Sequence, residues 1–150
     1  MKMVMVAGIS LLALVACDNS GKDSATGAIE SLTGPALERS VDPKVIEAGE
    51  RLFRQHCSQC HGQQAEGDPN WRKPDADGKY PPPPLNGTGH AWHHPKLWLK
   101  QMIQEGSRPQ GNMPAWRDKL TDDEIEAVIA WFQSQWPDRV YAAWYEMQNR

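Results

Sequence analysis

Apolar positions along this chain recur with helical spacing. Val45, Ile46, Gly49, Leu52 and Phe53 fall on one side of a helix opening at Asp42-Pro43. The aspartate can accept free amide hydrogens at a helix start, and proline suits the first helical position. Gly49 costs roughly 1 kcal/mol against alanine in mid-helix, so it calls for close contact with another helix. Leu97, Trp98, Met102 and Ile103 mark a second helix from Pro95 to about Glu105, with Gly106 as its stop. The clearest helix starts at Thr121. Thr121 with Glu124 forms a capping box, Leu120 with Ile125 a hydrophobic staple, and Ile125, Val128, Ile129 and Phe132 a continuous stripe. Pro137 interrupts it, and Asp138 to Gln148 predicts a further short helix with Tyr141, Trp144 and Tyr145 on one side. There is no internal repeat and no strand-like alternation.

Between these helices the chain reads as loop. Gly67-Asp68-Pro69, Asp77-Gly78 and the run Pro81–Pro84 exclude long helices or central strands from Gly62 to Gly89. Ser107 to Lys119 is irregular as well. So long a loop in a compact domain needs something to pack on. Seven Trp and twelve Pro against two Phe and three Tyr fit a small, loop-rich domain wrapped around something bulky. A chain of 150 residues fits one such domain with a leader and a tail.

The N-terminus carries one charge, Lys2, and then an apolar run from Met3 to Ala16. That run is shorter than the roughly 20 residues a membrane span needs and suits a secretory leader over residues 1–16. Its end, Leu14-Val15-Ala16-Cys17, resembles the lipobox of bacterial lipoproteins, which implies a lipid on Cys17. The alternative is ordinary cleavage with Cys17 discarded or free. Asp18 to Val41 is small and polar, so residues 17–41 are expected to form a flexible tether about 25–30 Å in typical end-to-end distance. Asp18 resembles an inner-membrane retention signal. Losing Lys2 with the leader moves the formal charge from −3 to −4, and with no basic run a nucleic-acid partner is not expected.

The chemistry is concentrated at Cys57-Ser58-Gln59-Cys60-His61. Two thiols two residues apart, with histidine directly after, form the attachment signature for covalent c-type haem. This spacing lets both sulfurs reach the two vinyl groups on one porphyrin edge and brings the imidazole under the iron. A redox dithiol or a zinc pair is the alternative. With Cys17 set aside, no cysteine remains for a structural disulfide. For the sixth iron ligand, the candidates outside the leader are Met102, Met113 and Met147 with His56, His90, His93 and His94. Met102 lies in a helical stripe, where core packing is the ordinary role. Met113 sits in a loop and is held extended by Pro114, as a thioether ligand or as a buried loop anchor.

These residues resemble a class I c-type cytochrome over about Asp42 to Trp136. The resemblance rests on Cys57–His61, the Met113-Pro114 loop and the flanking helices. It implies an all-α fold: three main helices and long loops around one covalent haem c, with a short extra C-terminal helix at 137–150 following a domain at 42–136. It implies that Gly49 and Phe53 cross Val128 and Trp131, and that the Pro83 carbonyl accepts a hydrogen bond from His61, within one residue of register. Axial ligation by His61 and Met113 implies an electron carrier and not an enzyme. The expected site is periplasmic, on a lipid anchor, with an oxidase or respiratory complex as partner. The alternatives are a catalytic or sensory haem protein with a displaceable sixth ligand, to which His56 or His90 could be recruited; a thioredoxin-like dithiol, which needs βαβ surroundings; and a copper-binding module at His90, His93 and His94.

Overall fold

The computed structural model describes Arg39 and residues 41–150; the expected leader, Cys17 with its expected lipid and most of the tether lie outside the described residues. Among the described residues the helices are α1 (Pro43–His56), α2 (Ser58–His61), α3 (Lys96–Glu105), α4 (Asp122–Ser134) and α5 (Asp138–Gln148), with a 3-10 turn at Ala91–His93. The only sheet-like pairing among them is an isolated bridge between Tyr80 and Gly111. The fold is all-α, and the proline- and glycine-rich stretch from 62 to 90 is loop. No described helix is long and apolar enough to cross a membrane.

α4 is the centre of the domain. Its capping box forms in both directions between Thr121 and Glu124, and the staple residues Leu120 and Ile125 are both buried. Ile125, Ala127, Val128, Ile129, Trp131 and Phe132 are buried too, so apolar residues surround most of this helix, the pattern of a core helix. α1 is amphipathic and makes the main helix contact with α4. Gly49 sits at the crossing: a Cβ there would stand 2.0 Å from the Ala127 carbonyl oxygen and 2.9 Å from Trp131 Cβ. One turn on, the Phe53 and Trp131 rings lie 4.3 Å apart. Gly49, Phe53 and Trp131 thus meet as the resemblance implied, but the backbone of Ala127, and not Val128, faces the glycine.

Three features lie beyond what the spacing indicated. On α3 the buried residues are Leu99 and Ile103, while Leu97 is 65% exposed; Lys100 instead joins Asp122 and Glu126 on α4 at 3.1 and 2.9 Å. On α5 only Trp144 is buried and Tyr145 is exposed. The Trp144 ring meets Trp136 edge-on at 5.8 Å, and its indole N–H donates to the His94 carbonyl at 3.1 Å. Contacts to the domain also come from before Asp42. Arg39, placed in the tether by composition, donates to the carbonyls of Gln133 at 2.8 Å and Ser134 at 3.1 Å, and to that of Trp136. It also pairs with Asp138 at 3.0 Å. Carbonyls at a helix C-terminus run short of internal partners, and one guanidinium adds bonds to those at the α4–α5 junction.

Gly49→Ala is expected to destabilise the domain. Helix propensity favours alanine by about 1 kcal/mol, but overpacking costs about 1–3 kcal/mol or more, and a rigid carbonyl leaves no room to yield. A denaturation midpoint equal to wild type would contradict this. Arg39→Ala should cost about 1–3 kcal/mol, with Arg39→Lys recovering only part because an ammonium cannot fork across several carbonyls. Hydrogen exchange at 133–138 would show the loosened junction.

Candidate functional site

α1 ends at His56, and the chain tightens into the single turn α2. Cys57 N–H donates to Phe53 O at 2.8 Å, His61 N–H to Cys57 O at 2.9 Å, and Ser58 Oγ to Arg54 O at 2.7 Å. Residues at i, i+3 and i+4 share a helix face, so this turn sets Cys57, Cys60 and His61 side by side. All three line one cavity of about 840 Å³, while Ser58 and Gln59 do not. Cys60 is exposed and Cys57 half-buried. Burial, with Cys60 beside it, pushes the Cys57 thiol up to about 11.

His61 is buried, and its Nδ1 donates to the Pro83 carbonyl at 3.0 Å. The turn after α2 presents that carbonyl. Gly67 N–H returns to His61 O at 2.7 Å, Asp68 N–H donates to Pro82 O at 2.8 Å, and Leu85 N–H to Ala65 O at 2.8 Å. Gly67 has φ +66°, and a Cβ there would stand 2.5 Å from the Pro83 carbonyl carbon. Prolines offer no amide hydrogen, so this extended run presents acceptors only. Burial holds His61 below the usual histidine range, with the Pro83 bond opposing it. The ring is therefore neutral near pH 7, and with Nδ1 committed the free electron pair belongs to Nε2.

Met113 lines the same cavity from the irregular segment after α3. Ser107 holds it twice: Met113 N–H donates to Ser107 Oγ at 3.1 Å, and Ser107 N–H to the Met113 carbonyl at 3.1 Å. Gly106, expected only as a helix stop, is also a contact point. Its φ is +78°, and a Cβ would stand 2.5 Å from Met113 O. Tyr80 N–H donates to Gln110 O at 2.8 Å and so joins the proline loop to the methionine loop. Ser107 was not legible in the sequence, because a serine six residues before a methionine carries no local signal.

Phe53, Leu99, Ile103, Val128 and Phe132 supply apolar wall. Met102 and His56 also reach the cavity, whereas Met147 is not among its lining residues. His90 and His94 line it and His93 does not; His93 stacks on Trp92 at 3.7 Å. Among the described residues no group of three or more His, Cys, Asp or Glu side chains is placed to hold a metal ion, so the copper-module alternative has no gathered ligand set. Cys17 lies outside the described residues. The dithiol alternative is not met either, since a helix and a proline loop flank the motif in place of βαβ units.

The donor set fits a covalent haem: two adjacent thiols, a neutral oriented imidazole, a thioether and a largely apolar cavity. Residues 44–132 match the family model "Cytochrome C oxidase, cbb3-type, subunit III". The chain is similar to cytochrome c6 of Cladophora glomerata, at 31% identity over 97 residues, covering 63% of this chain and 93% of that protein. It is also similar to the cbb3-type cytochrome c oxidase subunit FixPc of Rhizobium leguminosarum bv. viciae, at 29% identity over 100 residues. That match covers 62% of this chain and only 29% of the longer protein. Among solved structures, cytochrome CL from Methylophaga aminisulfidivorans MPT is 27% identical with a TM-score of 0.46, covering 90% of this chain and 83% of that one. The chain belongs to this family of c-type cytochromes, and is a class I, mono-haem cytochrome that binds covalent haem and works in electron transfer.

Proposed function

We propose that this cytochrome is an electron carrier with His61 and Met113 as axial ligands and Cys57 and Cys60 as thioether attachments. The observation that carries the reading is one cavity lined by all four side chains, with His61 Nδ1 held by Pro83 O at 3.0 Å. The haem supplies one-electron exchange at its iron when bound. Pro83 fixes the plane and tautomer of His61 and raises its basicity. Ser107 fixes the backbone of Met113 on both sides. A thioether favours the reduced state and raises the potential, and with both axial positions filled no substrate reaches the metal. The exposed Cys60 brings the attachment edge to the surface, where a partner can exchange electrons.

We further propose export to the periplasmic side of a bacterial membrane, with a lipid on Cys17 and Asp18 directing retention at the inner membrane. In this organisation residues 1–16 are the leader, and the polar segment after Cys17 joins the anchor to the domain. The domain occupies 42–136, with Arg39 of the preceding segment bonded to its C-terminal junction, and residues 137–150 extend it. An oxidase or respiratory complex is the proposed partner, in keeping with the cbb3-type relative. A tether raises the local concentration of carrier near such a partner. Radiolabelled lipid incorporation lost in Cys17→Ala tests the anchor.

Met113→Ala should lower the midpoint potential by on the order of 100 mV or more, within the roughly 0.8 V that axial ligands span. The variant should also bind carbon monoxide, which the parent protein should not. Met102→Ala should leave both properties close to wild type. A parent protein that takes up carbon monoxide readily, or a Met102 variant that alone loses the thioether spectrum, would overturn the ligation. Ser107→Ala removes one of two clamps on Met113, and a thioether–iron absorption band lost at lower temperature than in wild type is the expected sign.

A further inference from the structure

The two proposed axial ligands are held by different loops, and a backbone bridge joins those loops. Tyr80 N–H donates to Gln110 O at 2.8 Å, and Tyr80 pairs in parallel register with Gly111. Four prolines follow Tyr80, so residues 80–84 carry a single amide hydrogen. The carbonyls of this run serve its own side of the cavity: Pro82 O accepts from Asp68 N–H, and Pro83 O from His61 Nδ1. Its one donor, at Tyr80, reaches the methionine loop instead. The turn before it delivers that donor. Asp75 Oδ1 accepts from the amides of Asp77 and Lys79, both at 2.9 Å, and Asp75 N–H donates to Lys79 O at 2.8 Å. The turn is closed by its own bonds, so Tyr80 leaves it in a fixed direction.

Across the bridge, Gly111 N–H donates to Ser107 O at 2.9 Å, and the glycine packs on the Ser107 side chain. A Cβ at Gly111 would collide with Ser107 Oγ and stand 3.2 Å from Ser107 Cβ. That hydroxyl is the acceptor for Met113 N–H at 3.1 Å. The missing side chain of Gly111 therefore leaves the hydroxyl free to reach the methionine amide.

We propose that the Tyr80–Gly111 bridge is a strap that makes the hold of Met113 on the iron depend on the loop that orients His61. The inference rests on the axial assignment given above. Tyr80 acts through its amide on Gln110, and Gly111 acts through Ser107 on Met113. Both are positioning residues. Coupling of this kind is reciprocal. Loosening the strap weakens the thioether bond, and displacing the thioether loosens the strap.

The test uses the haem-loaded full chain, with imidazole as competitor for the sixth position. Tyr80→Pro removes the donor, and Gly111→Ala displaces the Ser107 hydroxyl. Each should tighten imidazole binding to the ferric protein by about three- to tenfold, the size of one net hydrogen bond. Each should also lose the thioether–iron absorption band well below its own unfolding midpoint, which a general loss of stability would not do. Tyr80→Phe keeps the amide and should behave as wild type. In the parent protein, saturating imidazole should speed hydrogen exchange at the Tyr80 amide by a similar factor and leave the Phe53 amide unchanged. That measurement needs no variant, so a substitution that fails to fold does not block it. Unchanged exchange at Tyr80 overturns the inference, as do imidazole affinities equal to wild type in both the Tyr80→Pro and Gly111→Ala proteins. A parent protein without the thioether band overturns the axial assignment and the strap with it; where the band is present, these outcomes judge the strap alone.

Discussion

Gly49 sits against the Ala127 carbonyl with no room for a Cβ, and the rest of the architecture depends on that contact. Two helices can approach this closely only where one of them lacks a side chain. The approach fixes the direction of α1 and therefore the point at which it ends. Phe53, one turn on, is locked against Trp131. Four residues later the chain reaches Cys57, with its backbone still bonded to Phe53. The turn that carries Cys57, Cys60 and His61 is thus a rigid continuation of the packed helix.

The opposite walls of the cavity are built from loops, and the same physical device recurs in them. Gly67 lets one backbone approach Pro83, Gly89 lets another approach Pro84, and Gly106 lets a third approach Met113. Around each contact the few free amides find specific carbonyls: Asp68 to Pro82, Leu85 to Ala65, Ser107 to Met113, Tyr80 to Gln110. Backbone groups buried without partners are costly, so this pairing does for the loops what a ladder does for a sheet. It also explains how a protein with so many prolines holds a histidine and a methionine in fixed places.

The indole N–H groups add a further layer. Trp136 donates to Leu85 O at 2.7 Å, and Trp144 to His94 O at 3.1 Å. These tie the chain after α4 to the loops that form the cavity. The C-terminal extension therefore braces the turn at residues 90–94. Arg39 closes the junction between α4 and α5 from the other end of the chain.

Short-range chemistry was readable from the residues alone. The Asp42-Pro43 start, the Thr121–Glu124 box, the Cys57–His61 turn and the Met113-Pro114 stretch each depend on neighbours within a few positions, and the structure has the helices where those signals put them. The face of α3 was not readable. Lys96–Glu105 carries apolar residues on nearly every side, and only packing against α4 selects Leu99 over Leu97. Nor could composition show that Arg39 belongs to the domain, that Ser107 grips Met113, or that His90 faces the cavity while His93 turns away. Spacing along the chain reports only what lies a few residues apart, whereas a shared cavity is made by segments tens of residues apart, whose approach is settled when the helices pack.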